Sequence, residues 1–206
     1  MRILGVLVFG IALGVAGCSS SSDAPMAAGG AAGAAGSGGA AAHVPSQAAI
    51  KLNLGPPALQ IGTSCPSGVT SYELGSPGPS ETNPGTSIVD GAAGAVISCS
   101  VTGSGTGPFK FSASIHGTTA TGDPITFVLS DGSVDLADMG STTVSLFTPQ
   151  LASTLTSGMP CQVAVVNEQV KGGSLWAEFA CGEITSEPSA DCAINGYFVL
   201  ENCDGS

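Results

Sequence analysis

The chain has 206 residues, with 15 Asp and Glu against 4 Lys and Arg, a net charge of -11, and only 9% charged residues. An acidic surface of this kind repels phosphate backbones, which excludes nucleic-acid binding. Mean hydropathy is +0.38, yet only one apolar run is long, and aromatic residues, at 5%, are a thin supply for stacking on bases or sugars.

That apolar run comes first. Arg2 supplies a short positive start, and Ile3 to Val15 has the length of a signal-peptide core, too short to span a bilayer. It ends at Val15-Ala16-Gly17-Cys18, followed by Ser19. This pattern resembles the lipobox of bacterial lipoproteins. Small residues before the cysteine fit a narrow peptidase site, and Val15 stands where Leu is usual. The resemblance implies removal of a signal peptide, residues 1–17, and lipidation of Cys18. Several acyl chains would then anchor the protein to the membrane, where one chain holds only marginally. With Ser19 rather than Asp after the cysteine, the resemblance further implies the outer membrane of the cell envelope. It covers about twenty residues and leaves the rest of the chain unrecognised.

A tether is expected next. Of the 30 residues from Ser19 to Ala48, 23 are Ala, Gly or Ser, and none is Phe, Leu, Ile, Trp or Tyr. Nothing there can form a core, and Gly recurs too often for a helix. Together with Cys18 the segment, 18–48, reads as a flexible linker of roughly 30 Å end to end. His43 inside it is expected to be solvated.

Residues 49–206 are expected to form one all-β domain, large enough to bury roughly 70% of its unfolded surface. The clearest period-two pattern is Phe109, Phe111, Ala113 and Ile115 alternating with Lys110, Ser112 and Ser114. Val96 to Val101, Thr126 to Leu129, Thr143 to Phe147, Cys161 to Val166, Leu175 to Cys181 and Ala193 to Leu200 are further strands, rich in Val, Ile, Phe and Thr. Gly- and Pro-rich breaks separate them, Asp131-Gly132 among them as a tight turn. About eight strands without a helical repeat suggest an antiparallel β-sandwich or jelly roll. Tyr72 to Asp90, with Pro77, Pro79 and Pro84, reads as a long connection and a candidate binding loop.

Setting Cys18 aside, Cys65, Cys99, Cys161, Cys181, Cys192 and Cys203 form an even set in an exported chain, which implies three disulfides. No two are close enough in sequence for a zinc site. Loop length and strand parity rank Cys181 with Cys192 and Cys65 with Cys99, leaving Cys161 for Cys203.

Catalytic signals are sparse. His116 is the one histidine of the domain, read as a strand-end residue beside a turn at Gly117, and no nucleophile elbow, HExxH, phosphate loop or dinucleotide fingerprint is present. Asp131, Asp135 and Asp138 lie within eight residues and are the one candidate for calcium, but their spacing departs from the EF-hand and turn chemistry is the preferred account. No metal or cofactor is therefore expected. Glu183, Glu187 and Asp191 read as a solvated loop. Trp176 and Glu178 share the strand face opposite Leu175, Ala177 and Phe179, which makes Trp176 a candidate exposed contact residue, although a half-buried Trp at the sheet edge is the commoner case. Two functions follow: a lipid-anchored protein with a structural or binding β-domain for a protein or glycan partner, or an exported hydrolase using paired carboxylates. The lack of a catalytic constellation favours the first.

Overall fold

A computed structural model describes residues 44–57, 65, 70–80, 83–151, 153–185 and 191–204, all within one compact unit, Ala41–Ser206. The lipobox, Cys18, His43 and Glu187 lie outside the described residues. Among the described residues there are thirteen strands and no helix: β1 Gln47–Gly55, β2 Thr70–Leu74, β3 Ser76–Ser80, β4 Asn83–Thr86, β5 Ile88–Val89, β6 Val96–Thr102, β7 Phe109–Thr118, β8 Pro124–Val134, β9 Gly140–Phe147, β10 Leu155–Ser157, β11 Cys161–Lys171, β12 Ser174–Thr185 and β13 Cys192–Glu201. The domain is all-β. Every strand read from the sequence is present, and each extends beyond its expected bounds.

Eleven strands form one antiparallel sheet in the order β2-β1-β13-β12-β10-β9-β8-β7-β6, with β11 pairing both β12 and β9, and β5 pairing β1. β3 and β4 form a separate hairpin. The stretch from Tyr72 to Asp90 is thus not one long connection. It holds the end of β2, the small hairpin and β5. Local alternation places most apolar residues of the long strands on one face, whereas β1, β12 and β13 also bury Ala49, Trp176 and Val199 on the other. In β7 Phe109, Phe111, Ala113, Ile115 and Gly117 are buried, while Lys110, Ser112, Ser114, His116 and Thr118 are exposed. Gly117 is a strand residue against Leu74 and Ile88, not a turn.

The sheet folds back so that its two halves face each other across one core. Ring contacts mark this: Phe111 on β7 meets Phe198 on β13 at 5.7 Å, and Phe127 on β8 meets Phe179 on β12 at 5.4 Å. Phe179 and Phe198 stand 6.1 Å apart, so four rings form a chain through the interior at separations normal for tilted aromatic pairs. β6, the last strand in the order, is bridged through Ser100 to Asp204 just after β13, and Gly173 at the β11–β12 turn donates to Val101. These bonds give part of that edge a hydrogen-bonding partner.

Asp131 and Gly132 do not form the expected tight turn. Both lie inside β8, at a bulge where the register against β7 and β9 shifts. Asp131 takes the left-handed backbone, φ 53°, which Asp tolerates better than most residues. Gly132 is buried under Phe111, and a Cβ there would overlap the Phe111 ring. Thr142, itself buried, donates its hydroxyl to the Ser130 carbonyl at 3.0 Å beside the bulge, which gives the buried hydroxyl its partner.

Candidate functional site

The six domain cysteines all pair, and none of the three expected pairings occurs. The bridges are Cys65–Cys192, Cys99–Cys203 and Cys161–Cys181. Cys161 and Cys181 face each other on neighbouring antiparallel strands, with Cα atoms 4.3 Å apart, because Gln162 pairs with Ala180 in the β11–β12 register. Cys181 cannot also reach Cys192, which stands opposite Ile184. Cys99 on β6 holds Cys203 at the end of the chain's last strand, beside the Ser100–Asp204 bridge. Cys65 ties the segment between β1 and β2 to the start of β13. The backbone decides these pairs by bringing Cα atoms to about 5 Å, whatever the chain length between them.

The sequence-predicted polar residues are not gathered into one centre. Among the described residues no group of three His, Cys, Asp or Glu side chains is placed to hold a metal ion. Asp131 is exposed in the β8 bulge, while Asp135 and Asp138 lie in the connection from β8 to β9. Glu183 belongs to β12 rather than to a loop, and Asp191 immediately precedes β13. His116 is exposed two residues before the end of β7, with Nδ1 at 2.9 Å from the Thr126 hydroxyl on β8. Its neighbours offer no nucleophile–base–acid relay.

Trp176 is not an exposed contact residue. It is 5% exposed and forms a small second cluster with Ala49 and Val199, flanked by Val166, on the face of the sheet opposite the main core. β3 packs against β1 and β13 without pairing to either, and Gly75 just before it touches Ala49. The side chain therefore serves packing, as an indole with apolar neighbours does.

Two surfaces remain. The outer face from β6 to β10 carries rows of hydroxyls. Ser98 faces Ser114, which is followed across the sheet by Val128, Ser145 and Thr156, and Ser100 faces Ser112. Adjacent strands set these side chains about 5 Å apart along each row. Ser145 and Thr156 are 3.0 Å apart and hydrogen-bonded. A shallow hollow of about 360 Å³ lies on this face, with Lys110 and Asp131 among Ser100, Thr102 and Ser112. Lys110 donates to Ser133 at 3.1 Å. A second hollow, about 340 Å³, lies over β11, β12 and β13 around Glu178 and Tyr197. Each of these two hollows contains one carboxylate.

No protein-family model matches the chain, and neither the curated proteins nor the solved structures yield a match to it.

Proposed function

We propose that the protein is a lipid-anchored lipoprotein of the cell envelope whose β-domain serves as a binding or bracing module. The observation that carries this reading is the polar outer surface just described: rows with Ser and Thr on β6, β7, β9 and β10, and two hollows with a single carboxylate each. Glycoside hydrolysis by the usual route needs two carboxyls flanking one bond, roughly 5–10 Å apart, so the hydrolase alternative has less support. Three disulfides that use all six domain cysteines suit an oxidising compartment, which agrees with export. The anchor rests on Val15-Ala16-Gly17-Cys18, and outer-membrane residence on Ser19.

Cell fractionation of Cys18→Ala tests the anchor. The wild-type protein is expected in the membrane pellet after a carbonate wash, and the variant in the soluble fraction or as an unprocessed precursor. A variant that pellets and is processed like wild type would remove the lipoprotein reading.

A further inference from the structure

The hollow over β11, β12 and β13 has a simple cause in the sheet register. One row across the outer face is Ala164, Glu178 and Tyr197, and the next is Gln162, Ala180 and Asn195. The two alanines sit diagonally between four longer side chains. Short methyls thus make a floor, while an amide, a carboxylate, a second amide and a phenol ring make the walls. Met139, 64% exposed in the connection from β8 to β9, completes the rim.

These walls have unused bonding capacity. Gln162, Glu178 and Tyr197 make no side-chain hydrogen bond or ion pair to another described residue, although the buried side-chain polar atoms among the described residues are all partnered. Asn195 accepts a long hydrogen bond, 3.5 Å, from Asn53, which leaves its own amide hydrogens for a ligand. Tyr197 is 46% exposed, whereas Phe111, Phe127, Phe179 and Phe198 are buried in the core. Lys51, opposite Tyr197 on β1, is 3.8 Å from Glu73 and so already has a partner for its charge.

We infer that this hollow binds an uncharged sugar ring. The inference rests on the binding reading of the domain and gives that reading a ligand class. A pyranose presents a face of C–H groups and a rim of hydroxyls that both donate and accept. The Tyr197 ring matches the first. Two amides, which donate and accept, and the Glu178 carboxylate, which accepts, match the second. A net charge of -11 and a carboxylate in the wall disfavour anionic ligands, nucleotides included. The volume, about 340 Å³, is at the small end of ligand sites and holds one ring rather than an extended chain. One exposed aromatic is enough for one ring, so a low aromatic content is no obstacle. With one carboxylate, the site holds the sugar and does not cleave it.

The test is titration of the full chain, in a detergent without a sugar headgroup, with maltohexaose, chitohexaose and oligogalacturonate, read by saturation-transfer NMR and calorimetry. At least one of the two uncharged oligosaccharides is expected to bind, and the anionic one to bind more weakly than it does. Tyr197→Ala is expected to weaken binding about tenfold or more, in the range of a contact residue at the centre of a small site. Tyr197→Phe, which keeps the ring, is expected to retain most of it, and Glu178→Gln to lose several-fold. Val96→Ala, 62% exposed at the start of β6 and outside both hollows, should bind as wild type, and fluorescence of the single Trp176 reports whether each variant is folded. Failure of both uncharged oligosaccharides at about 10 mM, the scale of affinities too weak to matter, would overturn the proposal, as would undiminished binding by folded Tyr197→Ala. Shortened oligosaccharides after incubation would keep the site and overturn the reading as a non-catalytic module. Fractionation of Cys18→Ala judges the anchor separately from either result.

Discussion

Asp131 and Gly132 show how a residue preference can be read correctly and placed wrongly. Asp before Gly signals left-handed backbone, and Asp131 adopts it. A hairpin turn and a bulge both use that conformation. The choice was made by Phe111 on the neighbouring strand, whose ring occupies the space a Cβ of residue 132 would need. Gly132→Ala must therefore displace Phe111, which itself packs on Phe198. The expected cost is about 1–3 kcal/mol, the usual range for overpacking a core, measured by chemical denaturation. A loss under about half a kcal/mol would mean that the ring moves without effort, against the close packing argued here.

At the scale of elements, the strands were legible and several of their partners were not. β7 needs no tertiary information, because its alternation of Phe109, Phe111, Ala113 and Ile115 with polar residues states which face is buried. β1 carries the same signal in Ile50, Leu52 and Leu54 around Lys51 and Asn53, and it begins at Gln47, two residues inside the segment expected to be tether. It pairs β13 over its whole length, so the first long strand of the domain lies beside the last. The bridges follow from such pairings. A hairpin about Gly172 and Gly173 without irregularity would set Cys161 opposite Ile184. The shift between Val165 and Val170 moves Cys161 to Cys181. Peptide mapping of the unreduced protein should yield Cys65 with Cys192, Cys99 with Cys203 and Cys161 with Cys181, and intact mass should lie two hydrogens per bridge below the reduced form. A peptide joining Cys181 to Cys192 would contradict the register of β12 and β13. Replacing both Cys99 and Cys203 by Ser is expected to cost about 2–5 kcal/mol, since their bridge closes 104 residues.

For the whole molecule, stability comes from one core enclosed by a folded-back sheet and three cross-links, with no metal cluster among the described residues. Calcium should accordingly leave the melting temperature unchanged. A site filled at a hundredfold excess over its Kd would stabilise the fold by about 2.7 kcal/mol, worth several degrees in a domain of this size. Thermal unfolding in millimolar calcium and then in chelator is the measurement. A reversible rise of several degrees would point to the acidic connection around Asp135 and Asp138.

Sequence by itself determined what depends on local chemistry. Alternation in β7 and its neighbours states an all-β domain, because a strand's side chains point to opposite faces in turn. An even set of cysteines implies bridges. The pattern ending at Cys18 is likewise a local signal, and it motivates the anchor proposal. Tertiary structure decided whatever depends on residues far apart in the chain. The three pairings, the burial of Trp176 against Ala49 and Val199, and the bulge at Asp131 each arise from a neighbour on another strand. The hollow beside Glu178 is of the same kind. Ala164, Ala180, Asn195 and Tyr197 become one surface only when β11, β12 and β13 pair in register, and no spacing within the chain states that register.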